Sequence, residues 1–231
     1  MVTRDPHPFP GTGSAPAGTT STRPGGVYWH LVVPVKDASL AKSRLEAPAP
    51  LRRADLARAV AADTVEAACA AVGAESLTVV TSDEVVASLA SGLGARVVAD
   101  PGDGLDAAVA AGWRDEPDLG GRRIGWAALL GDLAALRPED LHQALAACAG
   151  HRAAVVPDAE GTGTVLLTST TAPPQGRFGP GSAARHEAAG AVRLELDLPR
   201  LRRDVDVAAD LRSVLALGAG PHTLLATARG A

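Results

Sequence analysis

The 231 residues are 46% hydrophobic and 21% charged, with a formal net charge of −4. That suits one domain with a short extension, at roughly 150 residues per domain as a soft guide. Two cysteines, Cys69 and Cys148, exclude a disulfide scaffold and a thiolate zinc site; the net acidity and 3% aromatic content speak against nucleic-acid binding, and no apolar run reaches the about 18–20 residues of a membrane span.

Residues 1–26, ending in STRPGG, carry Pro, Gly, Ser and Thr without periodicity and are expected to be a disordered arm. They lack the basic-then-apolar order of a secretory signal, so a cytoplasmic protein is expected. The folded domain is expected over 27–226. A β-rich run at 27–33, closed by Pro34, is the first strand. Residues 51–72, rich in Ala, Leu and Val, form a helix. A strand at 76–81, a helix at 83–93, a strand at 95–99 and a helix at 105–113 follow. The apolar stretch 124–130 is the fourth strand, and 138–148 a helix opened by proline. Strands at 153–156 and 164–168, a helix at 182–189, a strand at 192–196 and a final helix at 207–217 complete the pattern. Alternating strands and helices, with continuously apolar strands, predict an α/β single domain of three layers around a mostly parallel sheet.

Such sheets take their ligands beyond the C-terminal ends of the strands, and the residues with chemistry lie there. The segment PVKDASLAKSRL after the first strand holds Lys36, Lys42 and Arg44. Lys36 and Lys42 are the only lysines of the chain; arginine supplies the other basic residues. Ammonium groups and a bidentate guanidinium suit phosphate oxygens, although the spacing is not that of a Walker A loop. Asp132, right after the fourth strand, is either a turn residue or a Mg2+ ligand. Asp204 and Asp206 alternate around Val205, so an extended backbone turns both carboxylates to one side. They are candidate metal ligands, with Asp206 also a candidate cap for the helix at 207. Two glycine clusters, 158–164 and 178–182, end in hydroxyls; their backbone N–H groups suit an anion. The loop at 100–106, with Gly104 and Asp106, could contact a base or ribose, or be a plain turn. His186 either lines the site or is packed, and the other five histidines show no metal-ligand spacing among them. Together these residues point to nucleotidyl transfer: a nucleoside triphosphate with Mg2+ meets a second, anionic substrate, and alignment with charge neutralisation suffices.

In this order, PVKDASLAKSRL, DPGDGLDAAVAAG, GDLAAL, EGTGTVLL, FGPGSAARH and LRRDVDVAADL resemble the guanylyltransferases of coenzyme F-420 biosynthesis, over about residues 28–217. The resemblance implies a nucleotidyltransferase fold of the glycosyltransferase-A-like, Rossmann-related type. It implies GTP as donor and phosphoenolpyruvate as acceptor, or 2-phospho-L-lactate as in other branches, with a downstream transferase consuming the product. It also implies that Thr164, Gly179 and Ser182 hold the acid, and that Asp132 and the DVD segment, Asp204 foremost, hold Mg2+. Lys36, Lys42 and Arg44 match the loop at the GTP phosphates, with Gly104 and Asp106 on the nucleotide side. Ala134, Asp106 and Glu160 stand where that family usually has Pro, Asn and Asp. Two rival readings are a molybdopterin-type nucleotidyltransferase, whose opening LAGGxSxRMG loop this chain lacks, and a noncatalytic nucleotide-binding protein, which would not need two metal carboxylates.

Overall fold

The structure, a computed structural model, describes residues 26–39, 47, 51–114 and 123–228. The expected arm, apart from Gly26, and the side chains of Lys42 and Arg44 lie outside the described residues.

Seven strands form one sheet: β1 (Tyr28–Val35), β2 (Leu77–Thr81), β3 (Arg96–Val98), β4 (Ile124–Leu129), β5 (Ala153–Pro157), β6 (Thr164–Ser169) and β7 (Val192–Arg193), in the order β3-β2-β1-β4-β6-β5-β7. Only β6 runs against its neighbours β4 and β5; the other pairings are parallel. The helices are α1 (Arg53–Val72), α2 (Glu84–Gly92), α3 (Leu105–Gly112), α4 (Pro138–Cys148), α5 (Ser182–Ala188), α6 (Pro199–Arg202), α7 (Ala208–Leu217) and α8 (Pro221–Ala228).

The three layers follow from the period of two along β1. Leu31 and Val33 pack with Val65 and Ala68 of α1, Val86 of α2 and Leu141 and Leu145 of α4. Val32 points the other way, to Ala108 and Val109 of α3. Both faces are covered, which is why the central strands read as unbroken apolar runs rather than alternating ones. A smaller cluster joins Leu56 and Val60 of α1 to Val205, Leu211 and Val214, and it brings the C-terminal segment to the end of the sheet.

Three expectations need correction. Pro34 does not close β1; it sits within the strand opposite Val80, beyond the last β1–β4 pair at Val32 and Ala128, so its missing N–H removes no rung there. The strand expected at 192–196 pairs only at Val192 and Arg193. Leu194 N–H reaches Val155 O at 2.9 Å, and the next rung would need an N–H from Pro157, which has none. Finally, the helix ending at Leu217 is not the last, because α8 follows.

Helix α8 is attached by a buried carboxylate. Asp63, on α1, accepts from His222 N–H and Thr223 N–H, both at 2.9 Å, so α1 satisfies donors at the start of α8 that have no partner within their own helix. Gly220 makes room: a Cβ there would lie 2.3 Å from the Asp63 carboxylate. Asp63→Ala leaves two N–H groups unpaired and is expected to cost about 1–3 kcal/mol. Urea unfolding should report that loss, and hydrogen exchange should report faster exchange confined to α8. Gly220→Ala should reproduce the pattern; unchanged exchange in both variants would show that α8 is held by other contacts.

Candidate active site

A cleft of about 550 Å3 opens at the C-terminal ends of β1 to β4. Lys36 and Asp37 line it after β1, Ser82 after β2, Asp100, Gly102 and Gly104 after β3, and Gly131 and Asp132 after β4. Asp206 closes it from the C-terminal segment.

Asp132, Asp204 and Asp206 each bring one carboxylate oxygen to within 4.8 Å of the others. Local structure explains the convergence. Val205 is fully buried against α1 and α7, so its two neighbours face outward together. Its N–H donates to Asp132 O at 3.2 Å, which fixes the two segments against each other. Asp206 does not cap α7: the Asp210 carboxylate accepts from Val207 N–H at 2.9 Å and from Asp206 N–H at 3.1 Å. Three carboxylates with half-buried Asp132 and Asp204 and exposed Asp206 suit a hard divalent cation, which prefers oxygen ligands and keeps some water.

The loop after β1 is tied down by a residue that sequence reasoning treated only as a helix start. Asp83 is buried at the N-cap of α2, accepting from Val85 N–H at 3.1 Å and Val86 N–H at 3.2 Å. It also accepts from Ala38 N–H at 3.2 Å and from Arg58 Nε at 2.9 Å. Burial alone would raise its pKa, but the Ala38 and Arg58 hydrogen bonds outweigh burial and hold the carboxyl below its usual range. Lys36, two residues before Ala38, therefore projects from an anchored turn. The expected helix start at 83 matches the cap but does not reveal the partners, which lie 25 and 45 residues away.

The two glycine clusters behave differently from each other. The N–H groups of Thr162 and Gly163 donate to the Asp158 carboxylate at 2.9 and 2.7 Å, and Gly161 N–H donates to Asp158 O at 3.1 Å. The expectation that this loop offers its N–H groups to an anion is thus corrected, since the loop's own aspartate takes them. What it presents is Thr164, buried at the start of β6. Thr164 Oγ1 accepts from Ser182 Oγ at 3.0 Å and lies 3.0 Å from His186 Nδ1. His186 Nε2 accepts from Arg177 N–H at 2.9 Å, so the neutral ring carries its proton on Nδ1 and donates to Thr164. The structure thus brings Thr164 and Ser182 together and adds His186. Gly179 and Gly181 hold positive φ angles of 104° and 69° beside them. The Arg185 guanidinium folds onto this loop and donates to the carbonyls of Arg177, Phe178 and Pro180. Of the two residues expected to face the nucleotide, Gly104 lines the cleft, whereas Asp106 Oδ1 accepts from Phe178 N–H at 2.9 Å.

The model of the MobA-like NTP transferase domain matches residues 17–216. The chain belongs to the MobA-like NTP transferase family. It is 49% identical over 205 residues to a phosphoenolpyruvate guanylyltransferase of Thermomonospora curvata, covering 87% of this chain and 89% of that one. It is 47% identical over 203 residues to one of Geodermatophilus obscurus, covering 84% and 92%. The crystal structure of Rv0371c from Mycobacterium tuberculosis superposes with a TM-score of 0.54 at 20% identity, over 83% of this chain and 99% of that one. The manganese complex of Rv0371c gives 0.50 at 21%, over 80% and 97%. Within the MobA-like family, this chain is a nucleotidyltransferase of the phosphoenolpyruvate guanylyltransferase group, with the α/β fold expected from its sequence.

In this family member two histidines stay neutral in the fold. Burial pushes His186 down to about 4. Burial, then the nearby Arg96 charge, does the same to His30, whose Nε2 lies 3.1 Å from Thr78 Oγ1. An unfolded histidine binds its proton near 6.5, so the unfolded state gains protons first as pH falls. The stability these rings contribute is complete above about 6.5 and is lost between 6.5 and about 4, with a slope of at most about 1.4 kcal/mol per pH unit for each ring. Urea unfolding between pH 7.5 and 4.5 should show this decline, and His186→Gln should remove about one proton's share of the slope. An unchanged slope in that variant would mean that His186 titrates normally in the fold.

Proposed function

We propose that this nucleotidyltransferase joins GMP from GTP to phosphoenolpyruvate, as a step in coenzyme F-420 biosynthesis. A phosphate oxygen of the acid attacks the α-phosphorus, the bond to the β-phosphate breaks, and pyrophosphate leaves. The product is enolpyruvyl-diphospho-guanosine, which a downstream transferase consumes. The observation that carries this reading is the meeting of Asp204 with Asp132 and Asp206, which line the same cleft as Lys36, in a chain nearly half identical to phosphoenolpyruvate guanylyltransferases.

Lys36, with Lys42 and Arg44 of the same segment, neutralises the triphosphate and grips its oxygens. Gly104 lets the backbone approach the nucleoside, and its φ of 89° is one that glycine adopts without strain. Thr164 holds the acid through its hydroxyl and Gly179 through its backbone N–H, while Ser182 completes this subsite by donating its hydroxyl to Thr164 and so orienting it. Thr164 accepts from both Ser182 and His186, so its own proton is left to donate to the acid. Asp132, Asp204 and Asp206 would hold Mg2+. When bound, that ion neutralises phosphate charge and orients the triphosphate for in-line attack. The chain needs no covalent intermediate; fixed donors and charges aimed at the reacting phosphates supply the catalysis. Among the described residues no helix is long and apolar enough to cross a membrane, and we assign the enzyme to the cytoplasm with its soluble substrates.

Purified protein is to be incubated with GTP, Mg2+ and one acid at a time: phosphoenolpyruvate, 2-phospho-L-lactate or 3-phosphoglycerate. Mass spectrometry should find the guanylylated acid and pyrophosphate chiefly with phosphoenolpyruvate. Product chiefly with 2-phospho-L-lactate would transfer the assignment to that acid, and CMP or AMP transfer would overturn it. Asp132→Asn should lower kcat by at least about a hundredfold with little change in Tm. Near-normal turnover would remove Asp132 from the metal set.

A further inference from the structure

The nucleotide-side loop and the acid-side loop come from distant parts of the chain, and a hydrogen bond joins them. Phe178 N–H donates to Asp106 Oδ1 at 2.9 Å across 72 residues. Asp106 lies in the first turn of α3, two residues after the cleft-lining Gly104. Phe178 immediately precedes Gly179. The contact is built from both sides. A Cβ on Gly176 would stand 2.7 Å from Asp106 Oδ1, and Gly176 is not among the glycines with positive φ. Glycine is there for space, not for backbone angle. The Phe178 ring packs against the α3 cluster with Val32 and Ala108, and also against the cluster of Val155 and Leu167. It meets His186 edge-on, with ring centroids 5.1 Å apart. His186 in turn holds Arg177 N–H and Thr164 Oγ1. The first turn of α3 is therefore linked to Thr164 through three consecutive hydrogen bonds and the backbone between Arg177 and Phe178.

Resting on the reading of the site above, we propose that Asp106 is a positioning residue that couples the two substrates. Nucleotide bound at the start of α3 fixes the acid-side loop, and acid bound at that loop fixes α3. Such coupling is reciprocal by linkage. It matters because in-line transfer requires the attacking oxygen and the phosphorus in near contact, where an ångström of drift between the loops is costly. Asp106 acts here through an acceptor oxygen, not through its charge. Asparagine at this position keeps that acceptor, so the pairing with Phe178 N–H survives the exchange.

Titration calorimetry of the full chain with Mg2+ tests this. The Kd of phosphoenolpyruvate is measured alone and with saturating α,β-methylene GTP, which cannot release pyrophosphate. In the wild type the analogue should tighten acid binding by about fivefold or more. In Asp106→Ala that factor should fall to near one. Asp106→Asn should keep the factor. Gly176→Ala leaves Asp106 in the sequence but crowds its Oδ1; it should lose the factor as Asp106→Ala does, and the double variant should be no worse. A merely structural role would weaken both ligands alone and leave the factor intact, which would overturn the coupling. So would a wild type that binds both ligands independently, or an Asp106→Asn that behaves like the alanine variant. A wild type that binds neither ligand would overturn the reading of the site, and the coupling with it.

Discussion

The turn that carries Asp132 off the end of β4 is held from four directions. Gly131 lies against β1 so closely that a Cβ would stand 2.6 Å from Pro34 O. Thr64, buried on α1, accepts from Leu133 N–H at 2.9 Å and donates to Val60 O at 2.9 Å. Asp132 O accepts from Val205 N–H at 3.2 Å, and Ala134 O accepts from Gly220 N–H at 2.7 Å. These contacts draw on β1, α1 and the C-terminal segment, so the turn is fixed against three parts of the domain. The gathering of three like charges within 4.8 Å depends on that attachment. Carboxylates this close oppose one another, and a mobile turn would let them separate. Held in place, they would offer a divalent cation oxygen ligands that need no reorganisation at the moment of reaction.

The same economy recurs around the cleft: aspartates organise loops as well as line them. Asp83 fixes the loop that carries Lys36, Asp158 fixes the loop before Thr164, and Asp100 accepts from Gly102 N–H at 2.9 Å in the loop leading to Gly104. Each engages backbone N–H groups of its loop and fixes the nearby residue that the loop carries. Prior ordering of these loops means that less of the binding free energy is lost to immobilising them.

Much of this was legible in the sequence, for physical reasons that also mark the failures. The parallel core could be read because strands buried on both faces are continuously apolar. The paired carboxylates could be read because an apolar Val205 between them fixes their common side. Contacts to backbone groups could not be read. The loop of Asp106 read as a contact to a base or ribose, or as a plain turn, and nothing in it showed that Asp106 Oδ1 accepts from the N–H of Phe178, 72 residues away. Asp158 looked like part of an anion-binding loop, but it consumes that loop's donors. His186 reads as either a packed or a site-lining residue; it is buried, yet it is bonded to Thr164. The strand at 192–196 read long because its own residues alternate well, while the limit was set by Pro157 on its partner. Helix α8 was overlooked because its anchor, Asp63, lies in the middle of α1.

The position of the divalent ion is the most direct measurement. Crystals grown with Mn2+ and α,β-methylene GTP, with data collected at the manganese absorption edge, locate the metal without reference to turnover. The expected result is an anomalous peak in contact with the carboxylates of Asp132, Asp204 and Asp206, with the triphosphate running toward Lys36. A peak bound by the triphosphate alone, or by acidic residues elsewhere while these three stand apart from it, would contradict the assignment of the site.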